Sequence, residues 1–254
     1  MYSKIILFIL LPLFGFSQAL SPSTTYLRDY VTNNTGTAPG NQQSFTTTAT
    51  SQTVTDIDGN IYNTVQIGTQ VWFSENLKTS RYRNGGLIPF VISNTAWKSL
   101  TSGAWCYNRY AVNNAIYGKF YNWFATQGDS LCPTGWHVPS DSEWTVLVDY
   151  LGGKRVAGGK MKSVGTAYWK RPNKGARNES GFSALPSGFY DNDGGYGNIG
   201  LITFFWSTTE EEIGVAWSRI LDNRSRDVYR ISTLKESGES VRCIKDLNLV
   251  VSNR

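Results

Sequence analysis

The stretch Leu131-Cys-Pro-Thr-Gly-Trp-His-Val-Pro-Ser-Asp-Ser-Glu-Trp144 decides the fold class of this chain. Its last residues open a helix. Ser140-Asp141-Ser142-Glu143 is a capping box, in which the serine oxygen accepts from the third helical N–H and the glutamate reaches back. Trp144, Leu147, Val148 and Leu151 then fall on one face, and Gly152-Gly153 stops the helix. Just upstream, Trp136-His137-Val138 reads as strand, so strand passes into capped helix within ten residues.

Working outward, the other signals are shorter. Tyr117, Phe120, Tyr121 and Phe124 recur at helical spacing and predict a helix there. Asp58-Gly59-Asn60, between Ile57 and Ile61-Tyr62, is a tight-turn signal. Val65, Ile67, Val71 and Phe73 alternate around Gly68, so a hairpin opens the domain. Beyond Gly181 the chain is Gly-rich, and four short strands are expected at Phe204 to Ser207, Val215 to Leu221, Val228 to Ile231 and Ser240 to Ile244. Neither an internal repeat nor a linker interrupts residues 56–247, which predicts one domain.

Composition agrees. Of 254 residues, 40% are apolar and 17% charged, which excludes a disordered chain and a polytopic membrane protein. Aromatics reach 14%, with 25 Gly and only 2 Met, the balance of short strands and loops rather than of a bundle. The class expected is α+β, with small antiparallel sheets, two or three helices and much irregular loop. The single histidine, His137, excludes multi-His metal sites and argues against a histidine relay.

The flanks read as processing and spacing. Residues 1–17, with Lys4 before the apolar run from Ile5 to Phe16 and small residues at Gly15 and Ser17, have the form of a signal peptide cleaved before Gln18. Export is therefore expected, to the periplasm, the cell surface or the medium, with no membrane span left after cleavage. Residues 18–55 are rich in Ser, Thr and Asn, and are expected to be a flexible linker. Residues 248–254 form a short C-terminal tail.

Several longer motifs occur in order: Asp56-Ile-Asp-Gly-Asn-Ile-Tyr62, Ile67-Gly-Thr-Gln-Val-Trp72, Glu75-Asn-Leu-Lys78, Tyr121-Asn-Trp123, the 131–144 stretch, Asn178-Glu-Ser-Gly-Phe-Ser-Ala-Leu-Pro186, Phe205-Trp-Ser207 and Ser240-Val-Arg-Cys243. In that order they resemble the Fibrobacter succinogenes major paralogous domain, common in secreted proteins of Bacteroidetes-like bacteria. More distantly, His137-Val-Pro-Ser-Asp-Ser-Glu-Trp144 and Ser240-Val-Arg-Cys243 are similar to signatures of the formylglycine-generating enzyme fold, a variant of the C-type lectin-like fold. That resemblance implies a C-type lectin-like domain.

Three cysteines, Cys106, Cys132 and Cys243, leave one thiol over if a disulfide forms in an oxidising compartment. The fold resemblance implies that Cys132 pairs with Cys243. Cys106, between Trp105 and Tyr107, is expected to be a buried, inert thiol. Formylglycine-generating enzymes bind copper through a cysteine pair upstream of their terminal strand, and here no cysteine lies between Phe204 and Val241. His137 is expected to be structural, and Glu210, Glu211 and Glu212 a solvated turn. A non-catalytic chain is therefore expected, with a divergent enzyme on the same scaffold as the alternative.

No cofactor is expected, with one reservation. Asp191-Asn192-Asp193-Gly194 offers hard oxygen donors, so Asp191, Asn192 and Asp193 are candidate calcium ligands, although the later bidentate glutamate of an EF-hand is missing. Candidate ligand-contact aromatics are Trp97, Trp169, Tyr190 and Tyr196, set in Gly- or Asn-rich surroundings. The partner expected is an extracellular or envelope protein or a glycan. A net charge of +5 favours acidic polymers. Nucleic acid is excluded, because the one basic cluster (Arg219, Arg224, Arg226 and Arg230) is interleaved with Asp222 and Asp227.

Overall fold

The computed structural model describes residues 52–107, 114–128, 130–191 and 195–247, and the backbone of four strands further upstream. Those four are β1 (Ser23–Leu27), β2 (Tyr30–Asn33), β3 (Gly36–Pro39) and β4 (Gln43–Thr47). β1 pairs antiparallel with β4, and β2 with β3. Residues 18–55, expected to be a flexible linker, thus include two pairs of strands. The Thr, Tyr and Val of this stretch favour extended backbone, a propensity that an accounting of apolar content alone passes over. The expected signal peptide and C-terminal tail lie outside the described residues.

The main unit is built from β5 (Thr53–Thr55), β6 (Ile61–Ile67), β7 (Gln70–Phe73), α1 (Asn94–Lys98), β8 (Trp105–Cys106), α2 (Asn114–Tyr117), β9 (Phe120–Tyr121), β10 (Trp136–His137), α3 (Asp141–Tyr150), α4 (Ala157–Met161), β11 (Phe189–Tyr190), β12 (Tyr196–Gly197), β13 (Ile202–Glu212), β14 (Val215–Asp222), β15 (Tyr229–Leu234) and β16 (Ile244–Lys245). Two sheets dominate: an antiparallel five-stranded one in the order β10-β16-β7-β6-β5, and an antiparallel three-stranded one in the order β13-β14-β15. The class is α+β, as expected. It has four short α-helices among the described residues rather than two or three, and only α3, with 10 residues, is longer than about a turn and a half.

The expected hairpin is present, with β6 and β7 turning at Gly68, whose φ of +61° suits glycine. β5 starts the unit at Thr53, three residues before the expected boundary. The helix expected through Tyr117 and Phe124 is corrected. α2 stops at Tyr117, β9 follows, and Trp123–Thr126 is a 3-10 turn capped by Asn122. Gly118 breaks the helix: its φ is +76°, and a Cβ there would sit 2.7 Å from the Asn76 Cβ.

The segment from Gly238 to Ile244 is the seam of the unit. In order, its backbone bonds Tyr190, Tyr121, Phe204 and Trp206, Leu77 and Phe73, and it ends in β16 beside Trp72. Arg242 stands buried in it, donating from Nε to Asn76 at 2.7 Å and from its Nη1 to the carbonyls of Phe73 and Phe182. Burying a guanidinium is tolerated because its donors are occupied. Around the seam, Trp72, Trp144, Phe182 and Phe205 form one aromatic core, and Tyr62, Phe73 and Trp136 belong to another.

Candidate ligand cleft

α3 starts where the sequence places it. Ser140 Oγ accepts from the Glu143 N–H at 3.3 Å, and Glu143 Oε2 accepts from the Ser140 N–H at 2.8 Å. Trp144, Leu147, Val148 and Leu151 are buried. This cap fixes Asp141 at the first helical position, facing β14 and β15. There Arg219 and Arg230 are direct cross-strand partners, a like-charge pair that would repel if nothing stood between them.

Asp141 stands between them. Arg219 donates from Nη1 to Asp141 Oδ1 at 2.6 Å, and from Nη2 to the Asp141 carbonyl and to Thr145 Oγ1. Arg230 donates from Nε to both Asp141 oxygens, at 2.9 and 3.1 Å. Burial would raise the Asp141 carboxyl, but the hydrogen bonds from Arg230 and Arg219 outweigh it and hold it below its ordinary value. The Arg230 guanidinium also lies over the Trp217 ring, 3.2 Å from its centroid.

Beside this triad opens a cleft of about 480 Å³, within the ~300–1,000 Å³ range of small-ligand pockets. α3 supplies Thr145, Val148 and Asp149, the following turn supplies Lys154, and the entry to β15 supplies Asp227, Val228 and Tyr229. Arg219 is only 3% exposed and spent on Asp141, whereas the Arg230 side chain is 45% exposed. Among the described residues, no acceptor lies within hydrogen-bond reach of the Arg230 Nη groups or of Lys154 Nζ. Thr145 donates its hydroxyl to the Asp141 carbonyl and accepts from Arg219, an arrangement that positions rather than activates it. The cleft thus presents fixed cations, carboxylate acceptors, a phenol and apolar walls.

The residues singled out from sequence fall differently. Trp97, Trp169 and Tyr190 are fully buried, which corrects their reading as ligand contacts. The Trp97 Nε1–H donates to the Glu236 carbonyl, and that of Trp169 to the Ala184 carbonyl at 3.0 Å. Tyr190 donates to Asn94 at 2.8 Å and packs against Tyr196, itself half-buried, at 4.5 Å. Loop composition does not say which way a ring points, and these indole and phenol groups found acceptors inside. The rings that reach the surface include Tyr229 of the cleft and Phe90, which stacks on Tyr107.

Asp191 is half-buried, whereas Asn192 and Asp193 lie outside the described residues. Among the described residues no three His, Cys, Asp or Glu side chains are grouped to hold a metal ion. His137 is held at both ring nitrogens, Nε2 by Glu143 at 2.8 Å and Nδ1 by Asp246 at 2.6 Å. Cys132 and Cys243 form the disulfide, and Cys106 is buried outside it. Sequence reading named Arg219 and Arg230 only as part of a basic cluster offset by Asp222 and Asp227, and missed Asp141 as their partner and Trp217 as a support. The available signal was period two, which puts Trp217 and Arg219 on one face of β14.

The family model of the Fibrobacter succinogenes major domain matches residues 65–245. The chain belongs to that family. The match runs from β6 to the end of β16, and so includes α3, the seam and every residue of the cleft. No curated protein and no solved structure matches the chain. No helix among the described residues is long and apolar enough to cross a membrane.

Proposed function

We propose that this member of the family is an exported binding module without catalytic activity, working in the periplasm, at the surface or outside a Bacteroidetes-like cell, on a scaffold of the C-type lectin-like kind. The observation that carries the reading is the cleft between α3 and β15. Its exposed guanidinium is fixed on two sides before any ligand arrives, and preorganised donors in a concave site lower the entropic cost of binding. The lining groups form no nucleophile–base pair: the one hydroxyl that α3 contributes to the cleft, that of Thr145, is already bonded to backbone and to an arginine. The signal-peptide form of residues 1–17 and the polar residues behind it support export.

The test is retention of envelope polysaccharide and protein fractions on the immobilised protein, followed by mass analysis of what is eluted. The expected result is reversible retention of chemically unchanged material, lost when Arg230 and Lys154 are both replaced by alanine. Ligand that elutes cleaved or modified, with the change abolished by the same replacements, establishes an enzyme instead.

A further inference from the structure

We infer that the cleft takes a saccharide carrying an oxyanion, a uronate carboxylate or a sulfate ester, with its charge on the free edge of Arg230 and its ring against Tyr229. The inference rests on the cleft being a binding site and names the ligand class.

A guanidinium offers donors along more than one edge. Here the Nε side of Arg230 is occupied by Asp141 and one face by Trp217. What remains is the Nη1–Nη2 edge, a planar fork that fits two oxygens of one carboxylate or sulfate. Lys154 adds to the same cleft a cation with no side-chain partner among the described residues. Those two groups alone would suit any small anion, but the other walls narrow the choice. Asp149 and Asp227 line the cleft without a side-chain donor among the described residues. They repel a ligand whose charge is spread over it, such as a polyphosphate, and accept from hydroxyl groups. Val148, Val228 and the Tyr229 ring supply an apolar surface for C–H groups. One localised negative charge, several hydroxyl donors and one apolar ring face together describe an acidic sugar. An acidic peptide would meet Arg230 but leave both carboxylates without donors.

The experiment is calorimetric titration of the full chain with five probes: an oligogalacturonate, a sulfated galactan oligomer, a neutral galactan oligomer of equal length, inorganic sulfate and a poly-glutamate peptide. The acidic oligomers are expected to bind at least about tenfold more tightly than the neutral one, with the preference shrinking as salt is raised. A planar fork favouring carboxylate puts oligogalacturonate first; a sulfated ligand puts the galactan sulfate first. Arg230→Lys keeps the charge but loses the fork, and is expected to cost about tenfold on the acidic oligomers only. Lys154→Gln is the second variant, at a side chain that makes no hydrogen bond among the described residues, and is expected to lower the acidic preference with an unchanged melting temperature. Equal binding of acidic and neutral oligomers overturns the ligand class, and the binding cleft stands only if retention of the envelope fractions is still lost when Arg230 and Lys154 are both replaced by alanine. Binding of a poly-glutamate peptide but of no oligomer overturns it in favour of a protein partner. If no probe binds and the envelope fractions are not retained either, the binding-cleft reading falls with it.

Discussion

Two single residues carry a pH signature. Glu239 is fully buried, and burial pushes its carboxyl up to about 8 against the hydrogen bond that Ser218 donates at 2.7 Å. An unfolded glutamate titrates near 4.5. Between those values the folded chain keeps a proton that the unfolded chain has released, so stability falls as pH rises across the window. Glu239→Gln removes that slope. Urea midpoints measured from pH 5 to 8.5 should decline in the parent and decline less in the variant, the difference growing by about 1 kcal/mol per pH unit. His137 acts in the same direction in a higher window. Its hydrogen bond to Glu143, opposed by burial and helped by Asp246, raises it from 6.5 to about 9. Its contribution is complete below about 6.5 and lost as pH passes about 9. His137→Gln should therefore flatten the alkaline limb and leave the slope from pH 5 to 6 untouched. Of these partners only Glu143 was legible in the sequence, through the cap. Asp246 lies 109 positions from His137, and Ser218 lies 21 from Glu239. Nothing local ties either pair together.

At the scale of the element, α3 is where local chemistry and the final structure agree. A capping box is written in four consecutive residues and needs no distant partner, which is why sequence alone places this start. Ser140→Ala should cost about 1 kcal/mol in urea unfolding. Trp144→Ala should cost about 3–5 kcal/mol, because the indole is fully buried against Trp72, Phe182 and Phe205. Asp141→Ala should exceed the serine variant, at about 3 kcal/mol, since it leaves the buried Arg219 without its anion. Equal small losses for all three would mean that the helix face is not packed as described. The stretch after α2 shows the opposite. The spacing of Tyr117, Phe120, Tyr121 and Phe124 is helical, yet Gly118 is pressed against the backbone at Asn76 and Leu77, and the chain extends instead. That contact joins segments about forty residues apart, so periodicity had no means of registering it.

At the scale of the whole unit, the Gly238–Ile244 seam ties the sheets together, and the disulfide pins its end. Cys243 lies two residues before the end of β16, and Cys132 precedes β10, the strand that pairs with it. The two cysteines are 111 positions apart. Closing a loop of that length removes entropy from the unfolded chain worth about 4–5 kcal/mol in the chain-entropy model, so replacing both by alanine should cost about 2–5 kcal/mol once native relaxation is counted. The sequence left the pairing of three cysteines open, and resemblance to a known fold, rather than any count of residues, pointed to this one. Cys106 makes the arrangement testable in a single map. It is fully buried in the small core of Trp97, Phe120 and Tyr190, so it should resist alkylation in the folded protein and react only after denaturation. Non-reducing peptide mapping should then link the Leu131-Cys132-Pro133 and Val241-Arg242-Cys243 segments and recover Cys106 as a modified thiol in the denatured sample alone. A Cys106 labelled under native conditions, or linked to either partner, would mean that the core around α1 and β8 opens in solution and that the seam is pinned elsewhere.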